Sequence, residues 1–359
     1  MDEKELILKA KTAQMKETVD FRMKMMKEPL LRSLFLELTL RCNENCVHCG
    51  SRCGEVQSEE IPGEVFIGIL DKVAKDFAGH LPMLCLTGGE PLLRKEFFDI
   101  VTHAKKLGFS WGITSNGSLI TKEIARKMKE AGMSTIAVSL DGTKEYHDAF
   151  RRSEGSFERT VEGLSNLMEQ GFQEVEVITV VTPGNLPLLD DLFKVLCDID
   201  VDSWRLVGIE PIGRALDHPE LSLNKEEHLR MLRYICDKRE EGYPVSYACS
   251  HWLGFAYERD VRDWYFYCDA GIGTASIMAN GDIGGCLDIE RNAETIQGNV
   301  LKDDFTEVWK NGFGIFRKPL SKRCEECKAC PDEIYCMGGS AHTWDFENDR
   351  QKVCFRREW

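Results

Sequence analysis

The sequence predicts an α/β protein built on a parallel sheet, and three observations carry that expectation. Six β-rich runs follow one another from residue 34, amphipathic helical stretches separate them, and near residue 260 the rhythm gives way to Gly-rich turns and dense cysteines. Strand–helix alternation calls for right-handed crossovers, so six units form either an open doubly wound sheet or a (β/α) barrel short of the usual eight. In both, function gathers at the carboxyl ends of the strands.

Taken in order, residues 1–33 read as one helix, because MDEKELILKAKTAQMKETVD alternates charged and apolar residues at helical spacing. The strands follow as LFLELTL (34–40), MLCLT (83–87), FSWGIT (109–114), STIAVSL (134–140), EVEVITVV (174–181) and SWRLVGI (203–209). In the intervening EVFIGILDKVAKDFA, Val65, Ile69, Val73 and Phe77 recur at four-residue steps and are expected to line one helix face. NKEEHLRMLRYICDKREE reads as the helix after the sixth strand, and Asn280-Gly281 as a hairpin turn. The expected divisions are 1–33, 34–260 and 261–359.

With 359 residues, 43% of them hydrophobic, the chain can bury a large core. Asp and Glu outnumber Lys and Arg by 60 to 46 and no basic stripe appears, so nucleic acid is not an expected partner. The N-terminus lacks the apolar core of a signal peptide and no stretch reaches membrane-spanning length, which points to a cytoplasmic protein with no membrane partner. Fifteen cysteines in a reducing compartment are poor disulfide candidates, so metal or redox chemistry is the default for clustered ones.

Cys42, Cys46 and Cys49 are spaced C-x3-C-x2-C at the carboxyl end of the first strand. Three thiolates can hold three corners of a metal centre; a zinc knuckle closed by Cys53 or His48 is one reading, and a four-iron cluster with one open iron is the other. Directly after the second strand comes Gly88-Gly89-Glu90-Pro91, in which the glycines let a ligand approach the backbone and Glu90 offers a carboxylate to an ammonium group. The pair of motifs resembles the radical S-adenosylmethionine (SAM) superfamily. That resemblance implies a partial (β/α)6 TIM-like barrel, a [4Fe-4S] cluster on Cys42, Cys46 and Cys49, and SAM chelating the open iron. The ring before the last cysteine, often aromatic in the family, is here His48.

The third and fourth strands end in Thr114-Ser115-Asn116-Gly117 and Ser139-Leu140-Asp141-Gly142, with Arg151 twelve residues past Ser139. Taken singly, Asn116 reads as a left-handed turn residue, Asp141 as a helix N-cap and Arg151 as a solvated charge. Together they resemble a branch of the family in which such a serine and aspartate lie near the ribose and the arginine engages the cofactor carboxylate.

The C-terminal part carries Cys268, Cys286, Cys324, Cys327, Cys330, Cys336 and Cys354, and the Asn280-Gly281 hairpin can fold Cys268 and Cys286 toward one site. A zinc ribbon would use the same thiolates. The array resembles the SPASM extension of peptide-modifying radical SAM enzymes, and GNVLKDDFTEVWKN resembles its connecting helix. By that matching Cys327, Cys330, Cys336 and Cys354 hold one auxiliary iron-sulfur cluster. Cys268 and Cys286 hold another that lacks a ligand, because Ser340 stands at a cysteine position; Cys324 or a substrate atom could complete it. Cys53, Cys85, Cys197, Cys236 and Cys249 read mostly as small core residues, with Cys249 alternatively a hydrogen-atom donor.

The resemblance further implies reductive cleavage of SAM, hydrogen abstraction from a peptide or protein residue, and a reductant such as flavodoxin or ferredoxin. Crosslinking, epimerisation and formylglycine formation, as in anaerobic sulfatase maturases, all remain open. In that last group an aspartate directly follows the hairpin cysteine, whereas here Leu287 precedes Asp288, a candidate general base that also reads as a solvated charge. The N-terminal helix is too short for a winged-helix leader-binding domain, so leader recognition would use a separate protein, the barrel surface, or nothing. A non-catalytic iron-sulfur or zinc protein is the alternative of another class.

Overall fold

The computed structural model describes residues 3–55, 59–248 and 250–355. α1 (Glu3–Lys27) is followed by β1 (Ser33–Glu37), α2 (Gly63–Asp76), β2 (Met83–Thr87), α3 (Phe97–Leu107), β3 (Trp111–Ser115), α4 (Lys122–Glu130) and β4 (Met133–Ser139). Two helices, α5 (Lys144–Arg151) and α6 (Ser156–Met168), lead to β5 (Glu174–Val181), and α7 (Leu189–Ile199) leads to β6 (Ser203–Gly208). Then come α8 (Lys225–Glu240), β7 (Val245–Tyr247), β8 (Thr274–Ile277), β9 (Asp282–Gly284), β10 (Gly298–Asn299) and α9 (Phe305–Asn311).

These ten strands form one open sheet in the order β10-β9-β8-β1-β2-β3-β4-β5-β6-β7. Pairing is parallel from β8 through β7, so the expected six parallel strands become eight. The additions were invisible to periodicity. β7 is three residues long, and β8 is buried on both faces and so shows no alternation. The sheet runs across residue 260, because Ser33–Leu36 of β1 pair with Thr274–Ile277 of β8. Glu37 reinforces that seam by accepting from Ala279 N at 3.0 Å and pairing with Arg291.

Period-2 alternation sorts the strand residues. Leu34, Leu36, Leu84, Leu86, Val175 and Val177 are buried under the helices, while Phe35, Cys85, Thr114, Ser139 and Ile178 keep some exposure and line the concave side. On α2 the fully buried stripe is Phe66, Leu70 and Val73, not the expected Val65, Ile69, Val73 and Phe77. The buried series steps by four and then three, the true period of a helix face, and the larger Phe66 takes the central position while Val65, Ile69 and Phe77 flank it. α8 begins with a full capping box between Asn224 and Glu227. The β8–β9 hairpin turns at Gly281, whose φ is +89°.

α1 lies along the C-terminal third: Tyr265 Oη donates to Gln14 at 2.7 Å, Lys11 pairs with Asp260 at 2.7 Å, and Arg22 donates to Tyr335 O at 2.7 Å. Among the described residues no helix is long and apolar enough to cross a membrane.

Candidate active site

The loop that leaves β1 is zipped to the segment that leaves β2. Leu38 N donates to Thr87 O, Gly89 N to Thr39 O and Glu90 N to Arg41 O, at 2.7–2.9 Å. A Cβ on Gly88 would stand 2.2 Å from Thr39 O, and one on Gly89 would stand 2.2 Å from Arg41 O. The glycines therefore answer to the cysteine-bearing chain itself, whose backbone fills the space expected for a ligand.

Glu90 is fully buried. Its carboxylate accepts from Asn116 N at 2.9 Å, Leu92 N at 3.2 Å and Ser115 Oγ at 3.0 Å. Burial nevertheless pushes its pKa up to about 7. Asn116 is not the left-handed residue of its turn. Gly117 is, with φ +78°, while Asn116 Nδ2 donates to Asn43 at 2.9 Å and lies 4.0 Å from Cys42 Sγ. The third strand thus touches the cysteine loop.

The fourth strand does so through a buried ion network. Arg151 Nε and Nη2 hold Asp141 at 2.7 and 2.6 Å, and Nη1 reaches Glu44 at 3.5 Å. Asp141 also accepts from Val180 N at 2.9 Å, and Thr143, not Asp141, stands at the N-cap position of α5, with no capping bond from its side chain. Burial works against the Asp141 carboxylate, but the Arg151 guanidinium holds its pKa below the ordinary range. Ser139 stands half-buried at the strand's end. Two backbone bonds, Asn45 N to Arg151 O and Val47 N to Phe150 O, tie the loop to α5. His48 stacks on Phe150 with centroids 4.3 Å apart, and burial lowers its pKa to about 4, so the ring is neutral.

Two loop-binding residues gave no sequence signal. Glu44, inside the cysteine motif, binds Ser156 Oγ and lies 3.9 Å from Cys46 Sγ. Arg214, just after β6, is 3% exposed and donates to Cys46 O at 2.7 Å and Cys53 O at 3.0 Å, with Arg214 N on Cys49 O at 3.0 Å. Only an identity at a stated distance from β6 could have flagged it. Burial pushes the Cys46 thiol up to about 12 and raises Cys42, whereas a hydrogen bond from Cys53 lowers Cys49 to about 6. Among the described residues no three His, Cys, Asp or Glu side chains close on one point as a single-ion site. Three soft thiols on one loop, which several strand ends hold in place, are a donor set suited to an iron-sulfur cluster.

The C-terminal thiols form a second centre. Cys327, Cys330, Cys336 and Cys354 line one cavity of about 70 Å³, with His251 and Phe355 on its wall. Burial pushes Cys336 up to about 12. Cys268 accepts from Ala341 N at 3.4 Å, and the chain beside Cys286 packs on Ala270 and Gly271, so the hairpin brings these two segments side by side. Ser340 is buried and turned to Ser250 O. Cys324 is buried beside Cys327, whose N–H it accepts at 3.3 Å. Cys53 is buried as expected, Cys85 and Cys236 are partly so, but Cys197 is exposed on α7; Cys249 lies outside the described residues.

Beside the second centre lies a pair that the sequence did not announce. Glu210, at the carboxyl end of β6, meets His251 Nε2 at 2.8 Å, and both are largely buried. Burial alone would raise Glu210, but His251, and then His342, hold it below the ordinary carboxylate range. Asp288 is exposed, on the side of His342.

A thiol loop at the mouth of a partial parallel barrel, with a second thiol-lined cavity in the C-terminal part of the chain, defines a class: iron-sulfur enzymes that work at strand ends. Residues 36–194 match the Radical SAM superfamily, and 268–331 match SPASM, described as an iron-sulfur cluster-binding domain. The chain is 28% identical to the AdoMet-dependent heme synthase of Oleidesulfovibrio alaskensis, covering 87% of this chain and 85% of that one. It is 29% identical to the mycofactocin maturase MftC of Mycobacterium tuberculosis, covering 84% and 76%. Among solved structures, anSMEcpe with bound AdoMet superposes with a TM-score of 0.71 at 20% identity, covering 91% of this chain and 94% of that one. SuiB of Streptococcus suis superposes at 0.72 and 17%, covering 91% and 77%. The chain belongs to the radical SAM superfamily, in its SPASM-bearing branch, and is an enzyme that uses SAM and iron-sulfur clusters.

Proposed function

We propose that this enzyme modifies a peptide or protein residue by hydrogen abstraction, with the proton released during oxidation received by Glu210 and His251. The observation that carries the reading is the position of that pair: His251 lines the four-cysteine cavity, and Glu210 stands at the end of β6, four residues before the Arg214 that holds the cysteine loop. Cys42, Cys46 and Cys49 hold the SAM-binding cluster. Cys327, Cys330, Cys336 and Cys354 hold an auxiliary one, and Cys268 and Cys286 offer two ligands to another. With its cluster and SAM bound, the first centre supplies a 5′-deoxyadenosyl radical.

The protein's part is positional. Gly88, Gly89, Glu90 and Asn116 fix the start of the cysteine loop; Asp141 and Arg151 fix its middle; and Ser139 and Thr114 present hydroxyls at the strand ends that would hold SAM by hydrogen bonds. Glu210, ionised at neutral pH, accepts a proton and can share it with His251 across 2.8 Å. Asp288, exposed nearby, is the second candidate base.

Charge favours a peptide over a carboxylate-rich ligand. The cations around the mouth are already paired, Arg41 with Glu60, Arg52 with Asp217 and Arg214 with Glu55, while Glu210 and Asp288 add negative charge. MftC is named a maturase, and SuiB has been solved with its precursor peptide SuiA. A second reading, modification of an iron porphyrin, is favoured by similarity to heme synthases and to a Fe-coproporphyrin III synthase that is 28% identical.

The test is anaerobic reconstitution followed by reduction in the presence of SAM and either short peptides encoded beside the gene or Fe-coproporphyrin III. Peptide-dependent 5′-deoxyadenosine with a loss of two hydrogens supports the proposal. Turnover of the porphyrin alone replaces it with the second reading. A flavodoxin or ferredoxin is the expected electron donor, and a separate leader-binding protein a possible third component.

A further inference from the structure

Arg22, on α1, is 2% exposed. Nη1 donates to Tyr335 O at 2.7 Å, but Nε is buried without a partner, and among the described residues the guanidinium makes no ion pair. Its Cζ lies 5.6 Å from the Phe266 ring centroid and 5.2 Å from that of Tyr267. The acid behind these rings, Glu258, is already taken by Arg262 at 2.8 Å and by Phe266 N at 2.8 Å. A buried cation in this state is unfavourable unless an anion shares the site.

The missing anion has an address. Arg22 lines the small cavity that contains Cys268 and Ala341, and its carbonyl partner Tyr335 immediately precedes Cys336, a wall of the four-cysteine cavity. Burial lowers the pKa of Arg22, and Cys268 and Cys336 are the groups that most oppose that shift. An iron-sulfur cluster held by thiolates is a net anion, and it gains a further negative charge on reduction.

We infer that Arg22 is the charge partner of the auxiliary iron-sulfur sites at Cys268 and Cys336, so that α1 is part of them and raises their reduction potential. A nearby cation stabilises the reduced cluster more than the oxidised one, because the interaction scales with cluster charge and the surroundings are dry. The inference depends on the auxiliary cluster and not on the substrate, so it stands or falls separately from the peptide proposal.

The test uses the full chain, reconstituted anaerobically, as wild type, Arg22→Lys and Arg22→Met. Iron and sulfide are counted, and an EPR-monitored redox titration separates the SAM-binding cluster, whose signal responds to added SAM, from the auxiliary signal. In R22M the auxiliary signal is expected to need a lower potential, with about tenfold less reduced cluster at a fixed potential. R22K should lie near wild type, and the SAM-responsive signal should not move. Identical auxiliary titrations in all three proteins overturn the inference. Should R22M fail to retain auxiliary iron, retention by R22K supports a role for charge; equal loss in both variants shows that shape alone matters and overturns it.

Discussion

Replacing Arg214 with alanine isolates the force that holds the cysteine loop from its far side. The guanidinium is buried and donates to two backbone carbonyls, Cys46 O at 2.7 Å and Cys53 O at 3.0 Å. Each such charge-assisted bond contributes about 1.5–3 kcal/mol, so the pair holds the loop by about 3–6 kcal/mol. The exposed Glu55 contact is left out of that sum. Because about 1.4 kcal/mol is tenfold, even the lower bound opens the loop more than a hundred times as often. Cys46 and Cys49 lie inside the released segment, so the SAM-binding cluster is the one expected to be lost. The assay is iron per chain and 5′-deoxyadenosine formed after dithionite, with the auxiliary EPR signal as an internal control. R214A should retain the auxiliary signal while its nucleoside yield falls by about two orders of magnitude. A fully loaded R214A that cleaves SAM at the wild-type rate would refute the reasoning.

Three further outcomes are expected. Gly89→Ala, whose added carbon would meet Arg41 O at 2.2 Å, must displace the loop's first turn, and should lose the SAM-responsive EPR signal while the auxiliary one persists. The Glu90 carboxyl titrates near pH 7 in the fold against 4.5 ordinarily, so the native state binds the extra proton between these values and stability falls as pH rises from about 4.5 to 7. In cluster-free protein, Glu90→Gln should flatten that part of the profile of unfolding midpoint against pH, and an unchanged slope would show the group is ordinary. Glu210→Gln and His251→Gln should each leave uncoupled SAM cleavage intact but slow modified-peptide formation by about 10²–10⁴-fold, measured by mass spectrometry under matched cluster loading.

Local order was written plainly in the sequence. The β5 range, Glu174–Val181, coincides with the expected run because eight residues of alternating burial leave no second solution. β1 is shorter than expected, since Leu38–Leu40 leave the ladder to start the cysteine loop. The three cysteines and GGEP were legible through spacing, but the physical use of Gly88 and Gly89, close packing against residues 39–41, was not. Arg22, Arg214 and Glu210 were missed for a common reason. Their partners lie far away along the chain, as when Arg22 meets Tyr335 or Arg214 meets Cys46, and no short pattern encodes such a meeting. β8 on β1 belongs with them, a pairing between segments some 240 positions apart.

That seam between β8 and β1 settles what can move. Neighbouring strands joined by a backbone ladder sit about 4.8 Å apart and cannot be prised open without stripping the ladder. Cys268 and Cys286, which flank the β8–β9 hairpin, therefore ride on the same rigid plate as the loop that begins at Leu38, and the gap an electron crosses between them is built in rather than adjusted at each turnover. Any gate that admits a substrate has to work at the opposite rim, where β7 ends the sheet after three residues.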